Sequence, residues 1–307
     1  MGHFLSSIDL QVAQLEEVVG RAVDLKAMHR AGQSYTPLDG QTIAVLGPCR
    51  LGDGQVGTGQ SSIARLICEM AILQLGAVLP ASVMAVDEQG RAGLWSEVFG
   101  NLLDAFVAEG VEHRSLELYS KRSRAPVINH SSDRFSPCRW LADVQTYQEH
   151  RGSIRGRRVV WVGRASAACR SFIQGTARLG YSLVISSPEN QGPDDALVLA
   201  AGEAVALVDN PIDAARDADL LVTDECLSVP PDSTSGRTGE LPLGVAPEVI
   251  GAAKSSALLI RHFPSNLNDS REDVGDVHDD EGFNLSREAA ENQLHVQKAL
   301  LEMMLVA

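Results

Sequence analysis

The sequence has few aromatic residues and few cations. Aromatic side chains make up 5% of the chain, and 26 lysines and arginines face 40 aspartates and glutamates, for a formal net charge of −14. A chain this acidic repels nucleic acid and anionic membranes, so neither is expected as a partner. A small anionic substrate would need a local cationic pocket.

Long apolar runs are also absent, since none approaches the roughly 20 residues of a membrane span. We recognise no signal-peptide pattern. The cysteines form no C-x-x-C pair, which excludes a disulfide framework and a zinc site as interpretations; they are Cys49, Cys68, Cys138, Cys169 and Cys226. We therefore expect reduced thiols, a cytoplasmic location, and no metal or cofactor.

Short β-rich runs alternate with helical patterns over 307 residues. At roughly 150 residues per domain this predicts two α/β domains with parallel sheets. The predicted strands are 42–46, 77–85, 105–107 and 126–129, then 158–162, 183–185, 204–208, 220–223 and 257–260. The break is expected near 149–156, which gives a first domain of 1–150 joined by a C-terminal helix 286–307, and a second domain of 151–285.

Two helices have apolar side chains at helical spacing. Ile63, Leu66, Ile67, Met70 and Leu73 predict a helix with one apolar face, closed by Gly76. The segment 290–305 predicts a final helix with one apolar face formed by Val296, Ala299, Leu300, Met303 and Met304.

Two segments are irregular. Residues 47–59 carry five glycines and include a G-x-G-x-x-G stretch at 52–57 between a strand and a helix. It admits a dinucleotide-binding, anion-binding or lid interpretation, or a relaxed insertion. Residues 269–281 carry seven acids, which indicate a cation site or a solvated loop.

Several stretches together resemble the ornithine and aspartate carbamoyltransferases. In chain order they are His3–Leu10, Pro126–Cys138, Leu141–Asp143, Gln148–His150 and Ala290–Leu301. Their agreement in order is more specific than any one match. The resemblance implies two parallel-sheet domains with the last helix packing back on the first, active sites between domains, and a trimer.

The family binds carbamoyl phosphate with a Ser-Thr-Arg-Thr-Arg motif at a helix N-terminus, where N–H groups and the helix dipole attract phosphate. The matching positions are Ser61, Ser62, Ile63, Ala64 and Arg65. The resemblance implies substrate-binding roles for both serines and for the arginine, and loss of the central arginine. Removing one charge-assisted phosphate contact costs about 1.5–3 kcal/mol.

Other carbamoyl phosphate ligands of the family also differ in this chain. A cationic position corresponds to Asn101, the His-Pro-x-Gln motif is Ser136-Pro-Cys-Arg139, and a late arginine is Gln293. The lost histidine helps to polarise the carbamoyl carbonyl in the family. Cys138 would be a nucleophile only with a lowered pKa, and is otherwise a packing residue.

The segment that binds the amino-acid substrate in the family is better matched in this chain. Thr223–Ser228 resembles the family's Asp-x-x-x-Ser segment, which implies that Asp224 and Ser228 hold an amino-acid substrate. An aspartate at the end of a parallel strand suits an ammonium group. The alternative role for Asp224 is to cap a helix.

New charged groups stand at other family positions. The His-Cys-Leu-Pro motif is Arg261-His262-Phe-Pro here, and a family asparagine corresponds to Arg170. With Arg139 these side chains would form a cationic pocket for a carboxylate or phosphate. We predict His262 and Arg139 as catalytic and Arg170 and Arg261 as substrate ligands, the alternatives being surface arginines and a structural histidine.

Three functions remain open. The first is a repurposed enzyme with a degraded carbamoyl phosphate site, acting on a small amino-acid-like substrate. The second is a non-catalytic paralogue that serves as scaffold or regulator in an oligomer. The third is a true carbamoyltransferase with altered ligands, which lacks stabilisers for transition-state charge.

Overall fold

The computed structural model describes residues 2–48, 51–52, 55–56, 63–80, 84–86, 97–224, 245–262 and 284–306. The chain folds into two compact units, Met1–Gln145 with Glu291–Ala307, and Thr146–Ala290. Ser61, Ser62 and Ser228, and the acidic run at 269–281, lie outside the described residues.

The main helices are numbered in chain order. They are α1 (Val12–Arg30), α2 (Ile63–Gln74), α3 (His113–Ser120), α4 (Pro137–Arg151), α5 (Ala167–Leu179), α6 (Asp195–Ala201), α7 (Pro211–Ala215), α8 (Pro247–Ala252) and α9 (Ser286–Leu305).

The first unit is built on a parallel sheet. Its strands are β1 (Ile43–Pro48), β4 (Met84–Val86), β5 (Ala105–Val111) and β6 (Val127–Ser132), in the order β4-β1-β5-β6. A short antiparallel pair, β2 (Leu51–Gly52) and β3 (Gln55–Val56), contains the described part of the G-x-G-x-x-G stretch. The core on one side of the sheet includes Phe106, Leu116 and Tyr119.

The C-terminal helix α9 completes the first unit by packing on α1. Glu302 accepts hydrogen bonds from the Arg21 guanidinium at 2.9 Å and from the Tyr35 hydroxyl, and Arg30 pairs with Glu291 at 3.0 Å. Between 292 and 301 every residue of α9 is buried. The predicted apolar face is buried at Val296, Ala299, Leu300 and Met304, with Met303 half-buried, and burial over this stretch extends to the other faces of α9 as well.

The second unit is also built on a parallel sheet. Its strands are β7 (Arg158–Val162), β8 (Ser182–Ser186), β9 (Val205–Leu207), β10 (Leu220–Thr223) and β11 (Leu258–Arg261), in the order β11-β10-β7-β8-β9. Near-continuous burial along β7, β8, β10 and β11 is typical of a parallel sheet covered on both faces. The predicted fold class, two parallel-sheet α/β domains, is confirmed.

The predicted strand 77–85 is wrong at its start, because residues 77–80 lie outside any strand; among the described residues of this segment, 84–86 pair with β1. Val78 makes a single bridge to Thr42, and Pro80 has no N–H to continue a ladder.

The predicted helix is present as α2, which buries Ala64, Cys68, Ala71 and Ile72. Its larger apolar side chains Ile63, Leu66, Met70 and Leu73 are exposed, so the predicted apolar face is the outer face of the helix.

Candidate functional site at the carboxyl edge of the second sheet

The order of strands changes direction between β7 and β10. From β7 the chain first extends the sheet through β8 and β9, and then returns to the other side of β7 with β10 and β11. Ligands of open parallel sheets bind beyond the carboxyl ends of the strands at such a point, where the connecting loops diverge. Gly163 turns the chain there with φ of 136°, a conformation that side chains rarely adopt.

An aspartate and a histidine meet at this edge. Asp224 follows β10 directly, and His262 follows β11, where its N–H donates to the Thr223 carbonyl at 2.8 Å. That bond carries the sheet register one residue further and brings His262 Nδ1 to 3.5 Å from Asp224 Oδ1. The His262 side chain is 3% exposed and that of Asp224 15% exposed, so the carboxylate is on the more open side.

A tryptophan fixes the imidazole from the sheet side. Trp161 is fully buried on β7, and its ring centroid lies 5.6 Å from that of His262 in an edge-on arrangement. The indole N–H donates to the Arg164 carbonyl at 2.9 Å, which holds the ring in place. An imidazole held between a carboxylate and an aromatic edge has the arrangement of an oriented proton acceptor.

Arg170 lies on α5, which begins beyond the same edge. Ser166 caps this helix, its hydroxyl accepting from the Cys169 N–H at 3.5 Å. The Arg170 guanidinium is 3.9 Å from Asp194. Burial raises the pKa of the neighbouring Cys169 thiol, and Asp224 raises it further. Arg170 and Asp224 thus flank one buried, protonated thiol, while the described contacts of Arg170 are with Asp194.

Arg261 departs from the predicted cluster. It is the last residue of β11, and successive side chains of a strand point to opposite faces, so it does not share the His262 face. Its N–H donates to the Ser286 hydroxyl at 2.8 Å. Its Nε is buried and has no hydrogen-bond acceptor among the described residues.

In the first unit, the described residues of the phosphate motif lie in the first turn of α2. Ile63 opens α2 and is 37% exposed. Arg65, in the first turn, pairs with Glu69 at 2.8 Å, one turn further along the same helix. Asn101, at the family's cationic position, donates its side-chain amide to the Glu97 carbonyl at 2.8 Å.

A buried histidine that sequence reasoning missed lies on β6. His130 is 1% exposed, its Nδ1 is 3.1 Å from Gln297 Oε1, and Gln293 is a second hydrogen-bond partner. Burial lowers the pKa of His130 to about 4, and the charge of Arg139 also lowers it. The available signal was the position of His130 inside the resembling segment beside the changed residues Ser136 and Arg139.

Cys138 lies against the same cluster, with its thiol 3.4 Å from the Asn129 carbonyl and 3.5 Å from Gln297 Oε1. Burial raises the pKa of this thiol, so the nucleophile interpretation is wrong and the packing interpretation holds. Within the described residues, no group of three histidines, cysteines or acids is placed to hold a metal ion. Within those residues, too, no helix combines the length and apolarity of a membrane span.

The architecture is a two-unit α/β chain with a parallel sheet in each unit. Comparisons with known proteins identify its family. The family model "Aspartate/ornithine carbamoyltransferase, Asp/Orn binding domain" matches residues 155–304. Ornithine carbamoyltransferase of Nitrosococcus oceani is 33% identical, with 99% of this chain and 97% of the relative covered. The chain belongs to the ornithine/aspartate carbamoyltransferase family.

Other matches agree over the full length. Ornithine carbamoyltransferase of Hydrogenovibrio crunogenus is 32% identical over 98% of this chain and 97% of the relative. Among solved structures, ornithine carbamoyltransferase from Burkholderia thailandensis superposes with a TM-score of 0.82 at 28% identity, covering 100% of this chain and 99% of that one.

Proposed function

We propose that this chain is an enzyme of the family that acts on a small amino-acid-like substrate held at the carboxyl edge of the second sheet. The observation that carries the proposal is the pair formed by Asp224 and His262 at the strand-order switch. Under this proposal, the carbamoyl phosphate side has changed enough that the reaction is not the family's standard one.

The pair suits chemistry at an amine. An ammonium group carries a charge that the Asp224 carboxylate stabilises, and it must lose a proton before its nitrogen can attack an electrophile. His262 is the proton acceptor in this proposal, because neutral imidazole accepts protons near neutral pH. Asp224 then both attracts the substrate and keeps the imidazole oriented.

The first unit supports a changed reaction. The family motif's central arginine is Ile63 here, and Arg65 is engaged by Glu69. Without a guanidinium at the central position, charge on a transferred phosphate or carbonyl has fewer stabilisers. Arg139 lies on α4 of the first unit, where its charge lowers the pKa of His130.

The test compares two carboxylate-to-amide changes in the full chain. Asp224→Asn removes the proposed ammonium ligand, and Glu203→Gln removes an exposed carboxylate just before β9, at the opposite end of the sheet. Calorimetry with ornithine, aspartate and related amino acids should detect a ligand whose affinity falls roughly tenfold or more in Asp224→Asn and is unchanged in Glu203→Gln. Equal binding by both variants would overturn the proposal.

The same binding measurements, together with an assay for product, distinguish the other functions. Full-length relatives named ornithine carbamoyltransferase favour a second candidate, carbamoyl transfer to ornithine. Tight carbamoyl phosphate binding with production of citrulline and phosphate would establish that candidate. No binding of any amino acid or of carbamoyl phosphate would favour the non-catalytic paralogue.

We also infer that the chain forms a homo-oligomer, with a trimer as the form that the family resemblance implies. The exposed apolar stripe of α2, in which Leu66 and Leu73 are 54% and 57% exposed, is suited to burial against a second copy. Leu66→Glu and Leu73→Glu should dissociate the oligomer in light scattering after gel filtration. Leu118→Glu, at a 49% exposed leucine on α3, is the control. A monomeric wild-type chain would refute the inference.

A further inference from the structure

A cavity of about 220 Å³ lies in the first unit, away from the motif positions discussed above. Its walls come from α1, the turn that follows α1, the C-terminal end of α2, and α9. It is lined by the apolar side chains of Leu25 and Met28, by the ring of Tyr35, and by the polar side chains of Gln74 and Lys298.

The ammonium of Lys298 is the main charged group of this cavity. The residue is 6% exposed, and among the described residues its one hydrogen-bond acceptor is Gln74 Oε1 at 3.2 Å. An ammonium has three donors, and burying it beside one neutral acceptor leaves much of its hydration uncompensated. Burial lowers the pKa of Lys298, with Glu302 opposing.

The nearby carboxylate does not complete the ammonium's hydrogen bonds. Glu302 accepts from both nitrogens of Arg21 at 2.9 Å and from the Tyr35 hydroxyl. These three bonds engage both carboxylate oxygens. The Lys298 ammonium therefore has donors to spare for an acceptor on a molecule in the cavity.

The surroundings of the cavity are positive, although the chain as a whole carries −14. His295, fully buried on α9, has its pKa lowered to about 3, first by burial and then by Lys298, His29, Lys26 and Arg30. The rings of His29 and His295 are 5.7 Å apart, and His29 also lines the cavity. This local positive field attracts an anion, whereas the acidic surface elsewhere repels it.

We propose that this cavity binds a small aliphatic monocarboxylate, with its carboxylate on Lys298 and its apolar body against Leu25, Met28 and Tyr35. A single ammonium matches one negative charge. Phosphate is recognised best by guanidinium forks, and no arginine lines the cavity. The apolar wall favours an organic body over an inorganic ion.

A molecule bound in the cavity would contact α2 and α9, and both helices also carry residues discussed above. Gln74 ends α2, the helix that starts at the altered phosphate motif, and Lys298 follows Gln297, which bonds His130. The site lies in a different unit from Asp224, so the inference does not depend on the proposed substrate site.

The experiment uses valerate as the probe, with ligand-observed NMR and calorimetry on the full chain. Valerate should bind wild type, and its neutral isostere valeramide should bind roughly tenfold or more weakly, because it lacks the charge. Lys298→Met should weaken valerate to the same degree. Lys121→Met, at an exposed lysine of the same unit, should leave it unchanged. Equal binding of valerate and valeramide, or preferential binding of inorganic phosphate, would overturn the inference.

Two further variants keep the result interpretable. Ser34→Trp fills the cavity mouth while leaving Lys298 in place, so it should abolish valerate binding even if Lys298→Met does not fold. Asp224→Asn should leave valerate binding unchanged. Loss of valerate binding in Asp224→Asn would place the probe at the second sheet, which overturns this inference and leaves the proposed function intact.

Discussion

Each unit contains a buried histidine on or directly after a parallel strand, and the two are paired differently. His130, on β6 of the first unit, lies between the side-chain amides of Gln297 and Gln293. His262, directly after β11 in the second unit, faces the partly exposed Asp224 carboxylate. Burial lowers the pKa of His130 and keeps its imidazole neutral, although both amide hydrogen bonds raise that pKa. A carboxylate partner favours the protonated form of an imidazole. We therefore predict a structural role for His130, and the proposed chemistry stays with His262.

The comparison also shows what occupies one position at which this chain departs from the family's pattern. In the first unit, Gln293 stands where the family resemblance implies an arginine, and it bonds His130 on β6. The second amide, Gln297, uses its Oε1 towards His130, while its buried Nε2 has no hydrogen-bond partner among the described residues. Neutral amides thus surround the buried imidazole in this unit.

The largest expected effect is on stability, at His130. His130→Ala removes a buried ring and leaves two buried glutamine side chains short of a partner, which should lower the free energy of unfolding by about 2–4 kcal/mol. Urea denaturation measures it. His150→Ala, which breaks a partly exposed pair with Glu288, should cost under about 1 kcal/mol. Comparable losses in the two variants would contradict the structural role of His130.

The pH dependence of stability should also report His130. Its folded pKa of about 4 lies below the unfolded value of 6.5, so the unfolded state binds the proton first and stability falls as pH drops from 6.5 to 4. Over that window the loss from this group is on the order of 3 kcal/mol. His130→Gln should flatten the profile measured by urea denaturation at successive pH values. An unchanged slope in that variant would show that His130 does not titrate in this way.

Two aspartates at opposite ends of β10 allow a structural role to be compared with a ligand-binding role inside the second unit. Asp219 precedes the strand and accepts from the Arg158 N–H at 2.9 Å and from Lys254 at 2.7 Å. Burial opposes ionisation of Asp219, but these donors outweigh it and lower the pKa. Asp219→Asn should cost about 1–3 kcal/mol of unfolding free energy, and Asp224→Asn should cost less while removing ligand binding.

Thermal melting with and without ligand separates these two effects. The Asp219 contribution is present above the unfolded pKa and is lost on acidification through the lowered folded pKa. If Asp224→Asn destabilises as much as Asp219→Asn and leaves binding intact, Asp224 is the helix-capping residue that the sequence also allowed.

The smallest expected effect concerns Arg65. Its pair with Glu69 is a partly buried i, i+4 contact on one helix, and pairs at this spacing contribute about 0.3–0.5 kcal/mol. Arg65→Gln should therefore change stability by about that amount and leave the thermal shift with carbamoyl phosphate unaltered. A lost carbamoyl phosphate shift in Arg65→Gln, with wild type responding, would show that the phosphate site still operates.

Much of the fold follows from local patterns. The strands predicted at 158–162 and 220–223 match β7 and β10 residue for residue, because continuous Val, Leu and Ile runs suit strands buried on both faces. Helix α2 shows the limit of this reasoning. Its period of 3.6 predicts a helix, but two faces of α2 carry apolar residues, and the pattern alone cannot decide which face meets the sheet.

The candidate site was predicted only in part. Asp224 and His262 were both named from sequence, and tertiary structure brings them within 3.5 Å because β10 and β11 are neighbours in register. Arg261 and His262 are adjacent in sequence, yet strand alternation sends their side chains apart. His130 was missed because its partners, Gln293 and Gln297, lie more than 160 residues away on α9.

The class of fold and the family follow from the sequence, because they depend on local pattern and on order along the chain. Only the tertiary structure shows which side chains meet: His262 with Asp224, His130 with two glutamines, and Lys298 with a cavity. Those contacts depend on strand order and helix packing, which set long-range distances that local pattern does not encode.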